Sequence, residues 1–180
     1  MTRSTPAAFL VSLALCACNP QAPKTAAGPT NSPPAAPTQP PLHITGHGTA
    51  TQPVRIVRQI HNRIEYELIA SSFESRGPQG RTRAVFQSAT VTFHGKDGST
   101  MVARAPQAIV DETANTLTLI DGVIARSSSG TVLQCDTLEY DRTTQMLHGK
   151  GNVTIVEPNG FKGTGSSFDS DISLTHITMR

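Results

Sequence analysis

The chain has 180 residues, of which 37% are apolar and 4% aromatic, with no Trp, a thin supply for a compact globule that leaves room for one modest domain. Its formal charge is +2, from 15 basic and 13 acidic side chains, without the concentrated basic face of a nucleic-acid binder, so no nucleic-acid partner is expected. No apolar run reaches the ~18 residues of a membrane-spanning helix, and three cysteines, two of them within the first 18 residues, make no disulfide framework.

Residues 1–17 read as an export signal. Arg3 supplies a positive start, residues 7–15 an apolar stretch too short to span a bilayer, and Leu15-Cys16-Ala17-Cys18 a processing site. A Leu three residues before and a small residue just before Cys18 match a bacterial lipobox; Cys16, preceded by bulky Leu15, fits less well. Cys18 is therefore the expected lipidation site and mature N-terminus, the other reading being an ordinary signal peptide with incidental cysteines. Acyl chains on Cys18 would hold the protein at a membrane surface, each buried CH₂ contributing about 0.8 kcal/mol.

Residues 18–53 read as a tether. Eight prolines fall within residues 20–41, and no Asp, Glu, Lys or Arg occurs between Lys24 and Arg55. Such a segment buries too little apolar surface to offset its ordering entropy, and its prolines favour an extended, semi-rigid spacer. His43 and His47 are four apart but have no third ligand nearby, so they are expected to be solvated rather than metal-bound.

From Val54 to the end, residues 54–180, the pattern has period two. Ile64, Tyr66 and Leu68, then Val91 and Phe93, Leu117 and Leu119, and Val153 and Ile155 alternate with mostly polar neighbours, as half-buried strands do. Asp97-Gly98, Asp121-Gly122, Ser129-Gly130 and Asn159-Gly160 read as turns between them. Superposed on those turns, the segments repeat. Val91, Val123 and Val153 each precede a Gly by the same interval, and second strands at 101–108, 133–140 and 161–168 run towards Asp111, Asp141 and Asp169. One such unit cannot bury its apolar face alone, so the units must stack. Stacked, they turn Phe93, Leu117, Leu119, Val123, Leu133, Leu138, Val153, Ile155 and Phe161 inward, where they form either a plain core or an apolar groove able to hold acyl chains. The three Asp are expected to cap turns rather than bind calcium or catalyse.

Further chemistry is sparse. Arg55, Arg58, Arg63, Arg76, Arg81 and Arg83 read as a solvated basic edge, with phosphate binding as the alternative. Cys135 lies in an alternating strand with no histidine base set up beside it and reads as a small buried side chain. No phosphate loop, zinc cluster or nucleophile elbow occurs, so no enzyme activity, metal or cofactor is expected.

Several segments together resemble the LptC family of Gram-negative lipopolysaccharide-transport proteins. They are residues 66–70 and 89–98, Leu117-Thr-Leu-Ile-Asp-Gly-Val123, Leu133-Gln-Cys-Asp-Thr-Leu-Glu-Tyr-Asp141, Gly149-Lys-Gly-Asn-Val153 and Gly163-Thr-Gly165. The resemblance implies an all-β fold, an open, twisted antiparallel β-jellyroll (β-taco), whose interior binds the acyl chains of lipopolysaccharide. It also implies a place at the periplasmic face of the inner membrane, receiving lipid from ABC-transporter membrane subunits and passing it to a periplasmic LptA-like protein through edge strands. The family's usual N-terminal transmembrane helix is replaced here by the lipoprotein signal and tether. The alternative is an envelope lipoprotein with a closed β-sandwich that binds only other proteins.

Overall fold

The computed structural model describes residues 42–78 and 81–180. Eleven strands occur among them: β1 (Leu42–His47), β2 (Val54–Ile60), β3 (Arg63–Ala70), β4 (Ser72–Gly77), β5 (Arg83–His94), β6 (Thr100–Asp111), β7 (Thr116–Ser127), β8 (Val132–Asp141), β9 (Met146–Val156), β10 (Lys162–Ser170) and β11 (Ile177–Met179). All belong to one antiparallel sheet, which runs β1-β4-β5-β6-β7-β8-β9-β10-β11, with β3 on the other half of β5 and β2 beyond β3. The edges do not meet, so the expected all-β, open jellyroll forms. The export signal, Cys18 and the tether as far as residue 41 lie outside the described residues. Among the described residues the sheet begins at Leu42, ahead of the boundary expected at Val54. Residues 42–47 alternate and pair with β4 from Leu42↔Gly77 to His47↔Ser72, and His43 meets Glu74 at 3.0 Å on that exposed edge.

The long strands bend near their middles. Ladder registers shift between Arg104 and Gln107, Ile120 and Val123, Gln134 and Thr137, and Gly165 and Ser167. An extra residue in one strand of a pair bends it and increases its twist, and these shifts line up across the sheet as a crease. Ser88, Asp121, Gly122, Gly151 and Asn152 on this line have φ of 52°, 72°, 92°, 76° and 48°. Asp121-Gly122 is thus not a chain reversal, as the sequence suggested; β7 runs straight through it. The other three Gly pairs do reverse the chain, with Gly98, Gly130 and Gly160 at φ of 83°, 95° and 89°.

The crease divides the sheet into two leaves. The front leaf contains β2, β3 and the hairpins at 89–105, 123–135 and 153–165; the rear leaf contains β1, β4, the start of β5, the hairpins at 107–120 and 137–150, the end of β10, and β11. Asp111 and Asp141 cap the rear-leaf turns. Asp111 Oδ1 accepts from the amides of Thr113 (2.9 Å) and Ala114 (2.8 Å), and Asp141 Oδ1 from Thr143 (2.7 Å) and Thr144 (3.2 Å). Asp169 departs from the pattern: it joins His148 Nδ1 at 2.7 Å and accepts from Arg180 Nη1 at 2.8 Å. Asp171 takes over the capping role, accepting from the Thr175 amide at 3.0 Å.

The core lies between the leaves. Leu68, Val91, Phe93 and Met101 of the front leaf and Phe86, Leu119, Tyr140 and Leu147 of the rear leaf are fully buried, each Å² of apolar surface removed from water contributing roughly 25 cal/mol. Phe93 meets Tyr140 across the gap, with ring centroids 5.0 Å apart and planes tilted by 59°. Beyond β10 the chain crosses the rim and turns Ile172 and Leu174 into the core.

Candidate functional site: an apolar trough between the leaves

Phe93, Leu117, Leu119, Val123, Leu133, Leu138, Val153 and Ile155 lie on the inner faces, as expected, and each is at most 1% exposed. They form packed core rather than an open channel. Phe161 departs from the expectation and is 59% exposed. It is in phase with Gly163 and Gly165, which oppose buried Ile155 and Val153. It sits, however, at the tip of the 153–165 hairpin, where Asn159-Gly160 turns the chain into solvent.

Accessible apolar space occurs instead at the N-terminal end. There the leaves end in β2–β3 and β1–β4, and a cavity of about 290 Å³ stays open between them, at the small end of the ~300–1,000 Å³ of ligand sites. Ile56 and Tyr66 line it from the front leaf, and Phe73, Ala84, Phe86 and Val110 from the rear. The Phe73 and Phe86 rings stack with centroids 5.9 Å apart and planes 20° from parallel. The alternation of β2 accounts for the front wall: Val54, Ile56 and Arg58 share one face, and among the described residues no strand lies on the outer side of β2 to carry the leaf further.

Charged groups ring this trough. Arg58, Glu112 and Arg142 line its mouth. Arg142 enters from the rear-leaf turn after β8 and is only 8% exposed; its Nε has no hydrogen-bond acceptor among the described residues. Glu65, wholly buried, accepts a hydrogen bond from Tyr140 Oη at 3.1 Å. Its other oxygen has no hydrogen-bond partner among the described residues and lies 4.0 Å from Arg58 Nε. Glu112 accepts from Thr82 Oγ1 at 2.7 Å. Burial pushes both tyrosine hydroxyls up, the negative Glu65 pushes them further and Arg142 partly offsets the rise. Tyr140 therefore stays protonated at neutral pH and donates to Glu65.

Of the basic cluster seen in the sequence, Arg55 pairs with Glu67 at 2.7 Å and Arg76 with Glu74, both arginines being exposed; Arg58 is the member that faces the trough. Phe73, Phe86, Val110 and Arg142 are lining residues that the repeat pattern did not single out. Phe73 and Phe86 fall before its first unit, and Arg142 stands just after the capping Asp141. Among the described residues no group of three His, Cys, Asp or Glu side chains could hold a metal ion, and no helix is long and apolar enough to cross a membrane.

The family model for lipopolysaccharide-assembly, LptC-related proteins matches residues 28–179. No curated protein matches the chain.

Proposed function

The chain belongs to the LptC-related family of lipopolysaccharide-assembly proteins, and from that membership and the trough we propose that it carries lipopolysaccharide by holding its acyl chains between the two leaves. The family acts in lipopolysaccharide transport. The observation that carries the finer reading is the position of the trough: an apolar cavity at the open N-terminal end, continuous in phase with the inner faces of both leaves. Acyl chains enter past Ile56 and Phe73, received from ABC-transporter membrane subunits. They then move into the seam lined by Phe93, Leu117, Leu119, Val123, Leu133, Leu138, Val153 and Ile155, with Phe161 at its far rim, as the leaves part. Many weak apolar contacts hold a chain without trapping it, and no covalent step is involved.

Hand-over occurs at the opposite edge. Residues 162–165 of β10 pair with β9 on one side, whereas on the other side β11 pairs with 168–170 and Arg180 bonds the backbone of Ser166 and Ser167. That leaves a backbone edge for a strand of a periplasmic LptA-like partner, with main-chain hydrogen bonds supplying affinity. Lipid on Cys18 keeps the protein on the periplasmic face of the inner membrane. Mass spectrometry of the mature protein should find an acylated N-terminal Cys18, and Cys18→Ser should release the protein from the membrane fraction; an unmodified, soluble mature chain would remove the anchor.

The central test is photocrosslinking in cells from Ile56, Phe73, Phe93 and Leu133, with Ile124, 56% exposed on the outer surface, as control. Lipopolysaccharide adducts are expected from the inner positions and not from Ile124. Labelling confined to Ile124 would overturn the carrier reading and favour an anchored scaffold.

A further inference from the structure

Arg142 is more than nine-tenths buried where it lines an apolar cavity, and its buried Nε has no acceptor among the described residues. Arginine cannot relieve burial by shedding its proton, as a lysine can, and buried charges are as a rule paired. The acidic groups nearby are otherwise engaged: Glu65 with Tyr140 and, more distantly, Arg58, and Glu112 with Thr82. From the facing leaf Arg58 brings a second guanidinium to the same mouth, with 47% of its side chain open to solvent.

We propose that Arg142 and Arg58 form a seat for a phosphoryl group carried on the end of an alkyl chain, the chain lying on Phe73 and Phe86. The seat rests on the reading of the trough as an acyl-chain site and names the head group that enters with the chain. A phosphate offers three terminal oxygens, two for a bidentate grip by one guanidinium and one for the other. Each leaf supplies one arginine, so the anion bridges them where they are least held together. Glu65 and Glu112 balance the two arginines in charge. A bare phosphate therefore gains little, and the apolar chain has to supply the remaining affinity; the ligand is an amphiphile, not a free anion.

The full chain, kept unlipidated by Cys18→Ser, is titrated with dodecyl phosphate, dodecanol and inorganic phosphate below micellar concentrations. Calorimetry and tyrosine fluorescence read the binding; Tyr66 and Tyr140 are the two tyrosines of the chain, and Tyr66 lines the cavity. Dodecyl phosphate should bind at least tenfold more tightly than dodecanol, and inorganic phosphate should not saturate. Arg58→Gln and Arg142→Met should each lower affinity for dodecyl phosphate several-fold and leave dodecanol unchanged; should Arg142→Met fail to fold, the exposed Arg58 carries the test. Equal binding of the two alkyl ligands, or an equal loss for both in Arg58→Gln, overturns the seat while sparing the trough. Failure of both alkyl ligands to bind overturns the trough reading and the seat with it. Inorganic phosphate binding as tightly as dodecyl phosphate overturns the amphiphile and leaves an anion site alone.

Discussion

Cys135 illustrates what a single position inherits from its strand. It faces inward on β8, in phase with Leu133 and opposite Val123 of β7, and is 4% exposed. Burial, helped by the negative charge of Asp136, pushes its thiol up to about 12. The thiolate is the reactive form, so the folded chain should resist alkylation. With iodoacetamide at about pH 8, peptide mass spectrometry should find Cys135 unmodified in buffer and modified in concentrated urea; rapid modification in buffer would mean that β8 opens. The linkage sign follows. An unfolded thiol loses its proton near 9 and the folded one keeps it to about 12, so this contribution to stability is present at neutral pH and is lost as pH rises through that window. Burial of this residue was readable from strand phase. The fate of Asp169 was not: its spacing matches Asp141, but β10 is followed by the rim crossing rather than another rear-leaf hairpin. Its carboxylate meets His148 and Arg180 instead.

Among the strands, β9 shows how closely packing is set. Gly149 opposes Leu138 on one side and Phe168 on the other, and the ring of the buried Phe168 lies directly over its Cα, where a Cβ would overlap it. Phe168 is 1% exposed and has little room to retreat. Gly149→Ala should therefore destabilise the fold by about 1–3 kcal/mol, the usual cost of overpacking, as a lower urea midpoint with unchanged slope. A midpoint equal to that of the parent chain would show that Phe168 can shift freely. The strands themselves were legible because alternation survives in every long one. The crease was not, because a bulge inside a strand uses the same left-handed residues as a tight turn. Asp121-Gly122 bends β7, Asp97-Gly98 closes a hairpin, and nothing local separates them. β1 was hidden for a different reason: six alternating residues at the end of a Pro-rich run gain their order from pairing with β4, a contact remote in sequence.

At the scale of the whole molecule the question is whether the leaves part. Strand phase identified the inner faces, and the eight buried residues bear that out. Which stretch of those faces stays open depends on where each leaf ends, which only the assembled sheet reveals; hence the trough formed around Phe73 and Phe86 rather than around Phe93. Opposite the crease, the rims meet across a second cavity of about 260 Å³ lined by Lys96 of the front leaf, Thr144 of the rear leaf, and Asp171 and Ile172 of the crossing strap. A lipid that travels along the seam has to displace this strap and separate Lys96 from Thr144, whereas one that stays in the trough does not. Lys96→Cys and Thr144→Cys, joined by a short cleavable linker in a purified chain carrying Cys16→Ser and Cys18→Ser and supplied with purified lipopolysaccharide, should leave photocrosslinking of lipopolysaccharide from Phe73 intact. The same link should cut adducts from Phe93 and Leu133 at least tenfold, and cleaving the linker should restore them. Undiminished adducts at Phe93 with the rims joined would mean that acyl chains reach the interior without the leaves separating, and the strap at Ile172 and Leu174 would then be a fixed part of the core rather than the door of the carrier.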